Sequence, residues 1–148
     1  GGDGVLVSGD FNRVKSCRSE QNLGAGFVVT GTGNEFDGNA SGNVTNLGNG
    51  GAGFVLLGSD NVLTSNRAEA NLGGGYSVSA PNVLRNNRAY SNEGIGFHIT
   101  GTGSGLDTNV AETNIAAEFV IGPGNINLNG NRANGRTFSF GASGGTFE

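Results

Sequence analysis

The sequence predicts an all-β solenoid of parallel strands. Three observations predict it: a repeat of 21–22 residues, period-two alternation of apolar residues within each repeat, and asparagines spaced by five between the alternations. The repeat shows in two independent registers. An apolar anchor falls at Val5, Phe27, Phe54, Tyr76, Phe97, Phe119 and Phe140, at intervals of 22, 27, 22, 21, 22 and 21. A turn residue falls at Cys17, Asn39, Asn66, Asn87, Asn109 and Asn131, at intervals of 22, 27, 21, 22 and 22. Both registers place one five-residue insertion between Asn39 and Phe54.

Each repeat divides into three short strands. "GFVVTG", "GFVLLG", "GYSVSA", "GFHITG" and "EFVIGP" align as the first, with Phe27/Val29, Phe54/Leu56, Tyr76/Val78, Phe97/Ile99 and Phe119/Ile121 on one side. A second strand carries Val14, Phe36, Leu63, Leu84, Leu106 and Leu128. The third carries Ser19, Ala68, Ala89, Ala111 and Ala133, small residues suited to a narrow interior. No 3.6-residue apolar spacing competes with this pattern. Three strands in about 22 residues cannot close a hairpin or sandwich on themselves. Each therefore pairs with its counterpart in the next repeat, giving in-register parallel sheets. The corners carry Asn12–Cys17–Asn22, Asn61–Asn66–Asn71, Asn82–Asn87–Asn92 and Ser104–Asn109–Asn114. Asparagine tolerates left-handed backbone and bonds the local main chain. At a strand separation of about 4.8 Å, stacked amides also bond one another from coil to coil.

Bulk composition bounds the rest. The 148 residues are one domain's worth of chain, with 30 Gly, 2 Pro, and neither Trp nor Met. Apolar residues make up 34% and recur at fixed spacing, which excludes disorder despite the glycine. The net charge is −4 and there is no basic tract, which argues against nucleic acid and anionic membranes as partners. No run reaches transmembrane length, so no membrane insertion is expected. Cys17 is the single cysteine, which excludes an intramolecular disulfide and leaves no zinc ligand set. The glycine strings at 24–26, 101–105 and 122–124 precede no helix and no Lys-Ser/Thr, so no nucleotide, cofactor or metal is implied. The opening "GGDGVLVSGD" lacks the layout of a signal peptide, and the residues leave the compartment open.

"NRAEANLGGGYSVSAPNVLRNN" and "NRAYSNEGIGFHITGTGSGLDTN" resemble the repeats of right-handed parallel β-helix proteins of the carbohydrate-binding and sugar-hydrolase type. The resemblance spans residues 4–140. It implies a right-handed parallel β-helix of about six to seven coils; residues 1–148 are expected to form one domain and, because the chain begins inside a strand with no capping helix, a segment of a longer solenoid. It also implies an extracellular or cell-surface location. That group includes polysaccharide lyases, hydrolases, C5-epimerases, phage tailspikes and surface proteins, so the resemblance specifies fold rather than activity.

Chemistry in a solenoid is sought across coils, because one register position forms a column. Arg18, Arg67 and Arg88 form one column, with Glu20, Glu69, Tyr90 and Glu112 two positions on. Arg67, Glu69, Arg88, Tyr90 and Glu112 thus make a candidate carbohydrate-binding patch; the same charges also read as a solvated face of cross-coil ion pairs. Arg13 and Lys15 fall opposite Glu35 and Asp37, and Arg85 opposite Asp107, which cross-strand pairing favours. Clustered aspartates serve the lyases and hydrolases of the fold. Here the five aspartates are scattered, and two coils without an acid separate Asp37 from Asp107. No catalytic residue is assigned.

A second column reads Leu6, Val28, Val55, Ser77, His98 and Val120, outward if Phe97 and Ile99 face in. With Leu57 beside it, this apolar stripe is a candidate lateral interface, and proteins resembling this one often form trimers through such a face. His98, the only histidine, has no orienting carboxylate in sequence. The reading is a non-catalytic module for carbohydrate or surface binding or for structural assembly, as a homo-oligomer or stacked end to end through open strand edges. The alternative is a fragment of a lyase, hydrolase or epimerase acting on an acidic polysaccharide.

Overall fold

The chain turns three corners in every coil, and most of them share one local feature. A computed structural model describes residues 2–43, 45, 48–134 and 138–140. In it, the residue before most corner asparagines, though not Gly48 before Asn49 or Pro81 before Asn82, has left-handed backbone. Glycine does this at Gly33, Gly38, Gly103, Gly124 and Gly130, but Phe11, Ser16, Gln21, Asp60, Ser65, Ala70, Asn86, Ser91, Thr108 and Thr113 also hold φ of 51–58°. The expectation that the corner asparagines themselves take the left-handed turn is thus corrected: their neighbours do, at about 1–2 kcal/mol for each non-glycine residue.

The asparagines point inward instead, as three ladders running along the axis. The first joins Asn12, Asn34, Asn61, Asn82, Ser104 and Asn125. The second joins Cys17, Asn39, Asn66, Asn87, Asn109 and Asn131. The third joins Asn22, Asn49, Asn71, Asn92 and Asn114. At a typical rung, the Asn39 N–H and Nδ2 each donate to Asn66 Oδ1 at 2.9 Å, while Asn66 Nδ2 donates to Phe36 O at 2.9 Å. Buried backbone that no sheet satisfies at a corner is satisfied this way.

Between corners lie the strands. Sheet A has seven, from Val5–Val7 through Phe27–Val29, Ala52–Leu56, Gly74–Val78, Ile95–Ile99 and Ala117–Ile121 to Phe138–Phe140. Sheet B has six, Arg13–Lys15 to Ile126–Asn129, and sheet C six, Arg18–Ser19 to Arg132–Asn134. Pairing is parallel throughout and follows the repeat: Val5 pairs with Phe27, Phe36 with Leu63, and Ser41 with Ala68. Asn39 contacts Asn66 across the insertion, as both sequence registers require.

The interior is filled column by column. Phe27, Phe54, Tyr76, Phe97 and Phe119 stack with centroids 4.6–5.0 Å apart and planes within 8°. Such pairs contribute about 0.5–1.5 kcal/mol beyond their area. Phe36, Leu63, Leu84 and Leu106 line sheet B, and Ala68, Ala89 and Ala111 keep sheet C close. The side chains of Leu128 and Phe140 lie outside the described set.

A column of glycines opposes the alanines. A Cβ on Gly75 would stand 2.4 Å from Gly96 O and 2.8 Å from Ala89 Cβ; one on Gly96 would stand 2.7 Å from Asn114 Nδ2. The column ends at Glu118, which is fully buried. Its Oε2 accepts from Asn114 Nδ2 and from Asn114 N at 3.4 Å, so a carboxylate takes the place that the next amide fills on every earlier coil. Glu118 Oε1 has no hydrogen-bond partner.

The last coil also departs from the period. Phe119 pairs with Phe138 and Ile121 with Phe140, so Phe140 is not the counterpart of Phe119 that the interval of 21 suggested. Val110 still pairs with Arg132, which places the contraction between residues 134 and 138. On sheet B, the register shifts between Leu106–Asn127 and Asp107–Asn129 through a bulge.

Candidate functional site

Sheet C brings the expected carbohydrate-binding residues together and then ties them down. Arg18, Ala40, Arg67, Arg88, Val110 and Arg132 form one column by strand pairing, and Glu69, Tyr90, Glu112 and Asn134 another. The Arg88 guanidinium lies 4.9 Å over the Tyr90 ring and bonds Glu112 Oε2. Asn134 Nδ2 donates to Glu112 Oε1 at 2.9 Å. Those two bonds, Asn134 first and Arg88 second, hold the Glu112 carboxyl below its ordinary value.

Glu69 is the exception to the outward reading. It pairs with Arg67, Nε to Oε1 at 3.0 Å, but the glutamate side chain is only 4% exposed against 46% for the arginine. Gly42 and Gly48 pack closely against the backbone of that stretch of chain. A Cβ on Gly42 would lie 2.0 Å from Glu69 O, and one on Gly48 1.7 Å from Ala70 O. Beneath it, burial pushes the Tyr76 phenol well above its ordinary value, and Glu69 adds to the effect while Arg67 opposes it.

Sheet B carries register pins. Arg13 Nε meets Glu35 Oε2 at 2.9 Å, and Lys15 Nζ meets Asp37 Oδ2 at 2.9 Å. Arg85 and Asp107 are Cα partners as expected, yet their side chains close no salt bridge. Exposed pairs of this kind contribute about 0–1 kcal/mol each, so they select register more than they stabilise. Asp3 and Asp10 accept backbone N–H groups of Ala25 and Thr32, both at 2.7 Å. Among the described residues, no three His, Cys, Asp or Glu side chains are grouped to hold a metal ion.

Sheet A presents the other expected face. Leu6, Val28, Val55, Ser77, His98 and Val120 are successive partners in one column, all on the outside. Leu6 is 64% exposed and Leu57, just past the strand end, 54%. A shallow groove of about 420 Å³ lies on the central strands, with Val55, Gly73, Gly74, Ser77, Gly94 and His98 among its lining residues. No Asp, Glu, Lys or Arg lines it. His98 sits between Ser77 and Val120 in register, with no carboxylate beside it on the sheet.

The sequence reading missed one column. Leu23, Leu72 and Ile115 each follow a third-ladder asparagine and are 78%, 56% and 60% exposed; Gly50 and Glu93 occupy the intervening coils. The signal was an apolar residue after the asparagine on alternate coils.

Solenoid architecture, in-register parallel sheets and the repeat agree with the family comparison: the chain matches the family described as right handed beta helix region over residues 1–146. It belongs to that family. No curated protein and no solved structure matches it. Among the described residues, no helix is long and apolar enough to cross a membrane.

Proposed function

We propose that the chain is a non-catalytic β-helix module that serves structural assembly through a lateral contact, in an extracellular or cell-surface setting. The contrast between faces carries this reading. Most charges on sheets B and C are paired in place, Arg13 with Glu35, Lys15 with Asp37, Arg67 with Glu69 and Arg88 with Glu112. The outward side of sheet A is apolar and, among the described residues, free of Asp, Glu, Lys and Arg. A charge-free apolar face rimmed by polar surface is the usual mark of a contact region. Its extracellular placement rests on the resemblance to β-helix surface proteins.

A polysaccharide contact at Arg67, Arg88, Tyr90 and Glu112 is the second reading, favoured by the aromatic ring beside two arginines about half exposed. Solution mass and a glycan array separate the two. Assembly gives a mass above the 14.8 kDa monomer and no glycan signal sensitive to Arg88→Ala or Tyr90→Ala. A monomer whose glycan binding is lost with Tyr90→Ala reverses the conclusion.

A further inference from the structure

We infer that the occupant of the sheet A face is a second copy of this chain, seated face to face and antiparallel across a two-fold axis passing by Ser77. This rests on the reading of the chain as an assembly module.

Period is the first argument. The outward column Leu6, Val28, Val55, Ser77, His98 and Val120 advances one strand per residue, which is about 4.8 Å. A partner keeps its side chains between these along the whole face only if it has the same rise. Another copy has it by construction.

Charge is the second. A two-fold axis sets a patch against itself, so a patch with net charge repels its own copy. The outer faces of sheets B and C are studded with ionic side chains such as Arg13, Lys15, Arg67 and Arg88, whereas the sheet A groove is lined by none. His98 is the only titratable side chain lining the groove apart from Tyr76, whose ring is in the core. Ser77 lies on Gly74–Val78, the middle strand of seven, so an axis there gives the largest overlap. Antiparallel seating places His98 opposite Val55 and Val28 opposite Val120. Parallel seating would set His98 against its own copy.

Area fixes the strength. Strands of three to five residues at about 3.3 Å per residue, seven of them at about 4.8 Å, give a face of roughly 10–16 by 29 Å. That is about 300–500 Å² per partner, small for a specific interface, so the dimer is weak and reversible.

The test is sedimentation equilibrium from about 10 μM to about 1 mM, with paired cross-linking. The expected result is a monomer–dimer equilibrium whose dissociation constant rises at least about tenfold with Val55→Lys. Val28→Lys repeats the test should Val55→Lys unfold, with melting temperature as the folding control. In a Cys17→Ser background, Ser77→Cys yields a disulfide dimer on mild oxidation, and Val28→Cys does not. A monomer at every concentration overturns the inference and the assembly reading together. Association that neither lysine weakens, a trimer, or Val28→Cys cross-linking as readily as Ser77→Cys overturns this partner geometry and leaves the assembly reading standing.

Discussion

Removing one rung from the middle of a ladder tests the role of the asparagines. Asn66 is 1% exposed and accepts at Oδ1 from the Asn39 N–H and Nδ2, both at 2.9 Å. It donates through Nδ2 to Phe36 O at 2.9 Å and to Asn87 Oδ1 at 3.1 Å. Asn66→Ala leaves the Asn39 N–H and one Nδ2 hydrogen without acceptors, and both are buried. Each orphaned buried group costs about 1–3 kcal/mol, and the lost side-chain contacts add to this, so a total near 3–6 kcal/mol is expected. Against a typical stability of about 5–15 kcal/mol, that is a large fraction. Urea unfolding followed by circular dichroism measures it. Asn22→Ala is the comparison, because Asn22 is the first of its ladder and has no preceding rung to orphan; it loses its Nδ2 bonds to Asn49 Oδ1 and Ser19 Oγ, keeps its backbone N–H bond to Asn49, and is expected to cost less than half as much. Equal losses below about 1 kcal/mol at both sites would refute the ladder argument.

Three further outcomes are expected. Glu118→Gln restores an amide at the capped end of the third ladder, keeping an acceptor for Asn114 Nδ2 while removing a buried acid; unfolding free energy rises by about 1 kcal/mol, and a fall of that size would contradict the role given to the carboxyl group. Thr108 holds φ of 52° as a β-branched residue, so Thr108→Gly raises the melting temperature through relief of about 1 kcal/mol of strain, and a lower one would show that the turn is not strained. Glu112 has its carboxyl held down by Asn134 and then Arg88. Its contribution is therefore full above its ordinary value and is lost as pH falls through the lower folded-state value. Asn134→Ala should raise its titration midpoint in carboxyl NMR and shallow the acid loss of stability, and an unmoved midpoint would refute the assignment.

Much of the fold was legible because its causes are periodic. Phe27 to Phe119 and Ala68 to Ala111 recur at one position each, and a column of like residues stacks as read. The left-handed residues were not legible, because Phe11, Gln21, Ala70 and Thr108 share a position without sharing a chemistry. Phe138 and Phe140 are two apart in an alternating strand, so a short coil exchanged one for the other without disturbing the pattern. At the candidate site, the columns Arg67–Arg88 and Glu69–Tyr90–Glu112 were legible from register alone. Burial of Glu69 was not, since its column position is shared with the more exposed Tyr90 and Glu112. The apolar column on sheet A was read in full, and Leu23, Leu72 and Ile115 were missed because they lie on the turn outside any strand.

Which face works is most directly tested by a concentration series of methyl and aromatic NMR spectra on the unmodified chain. Lateral assembly requires shifts that grow with concentration at Val28, Val55, His98 and Val120, while Tyr90 and the Arg88 side chain stay fixed. Shifts confined to Arg67, Arg88 and Tyr90, or none up to about 1 mM, would contradict it.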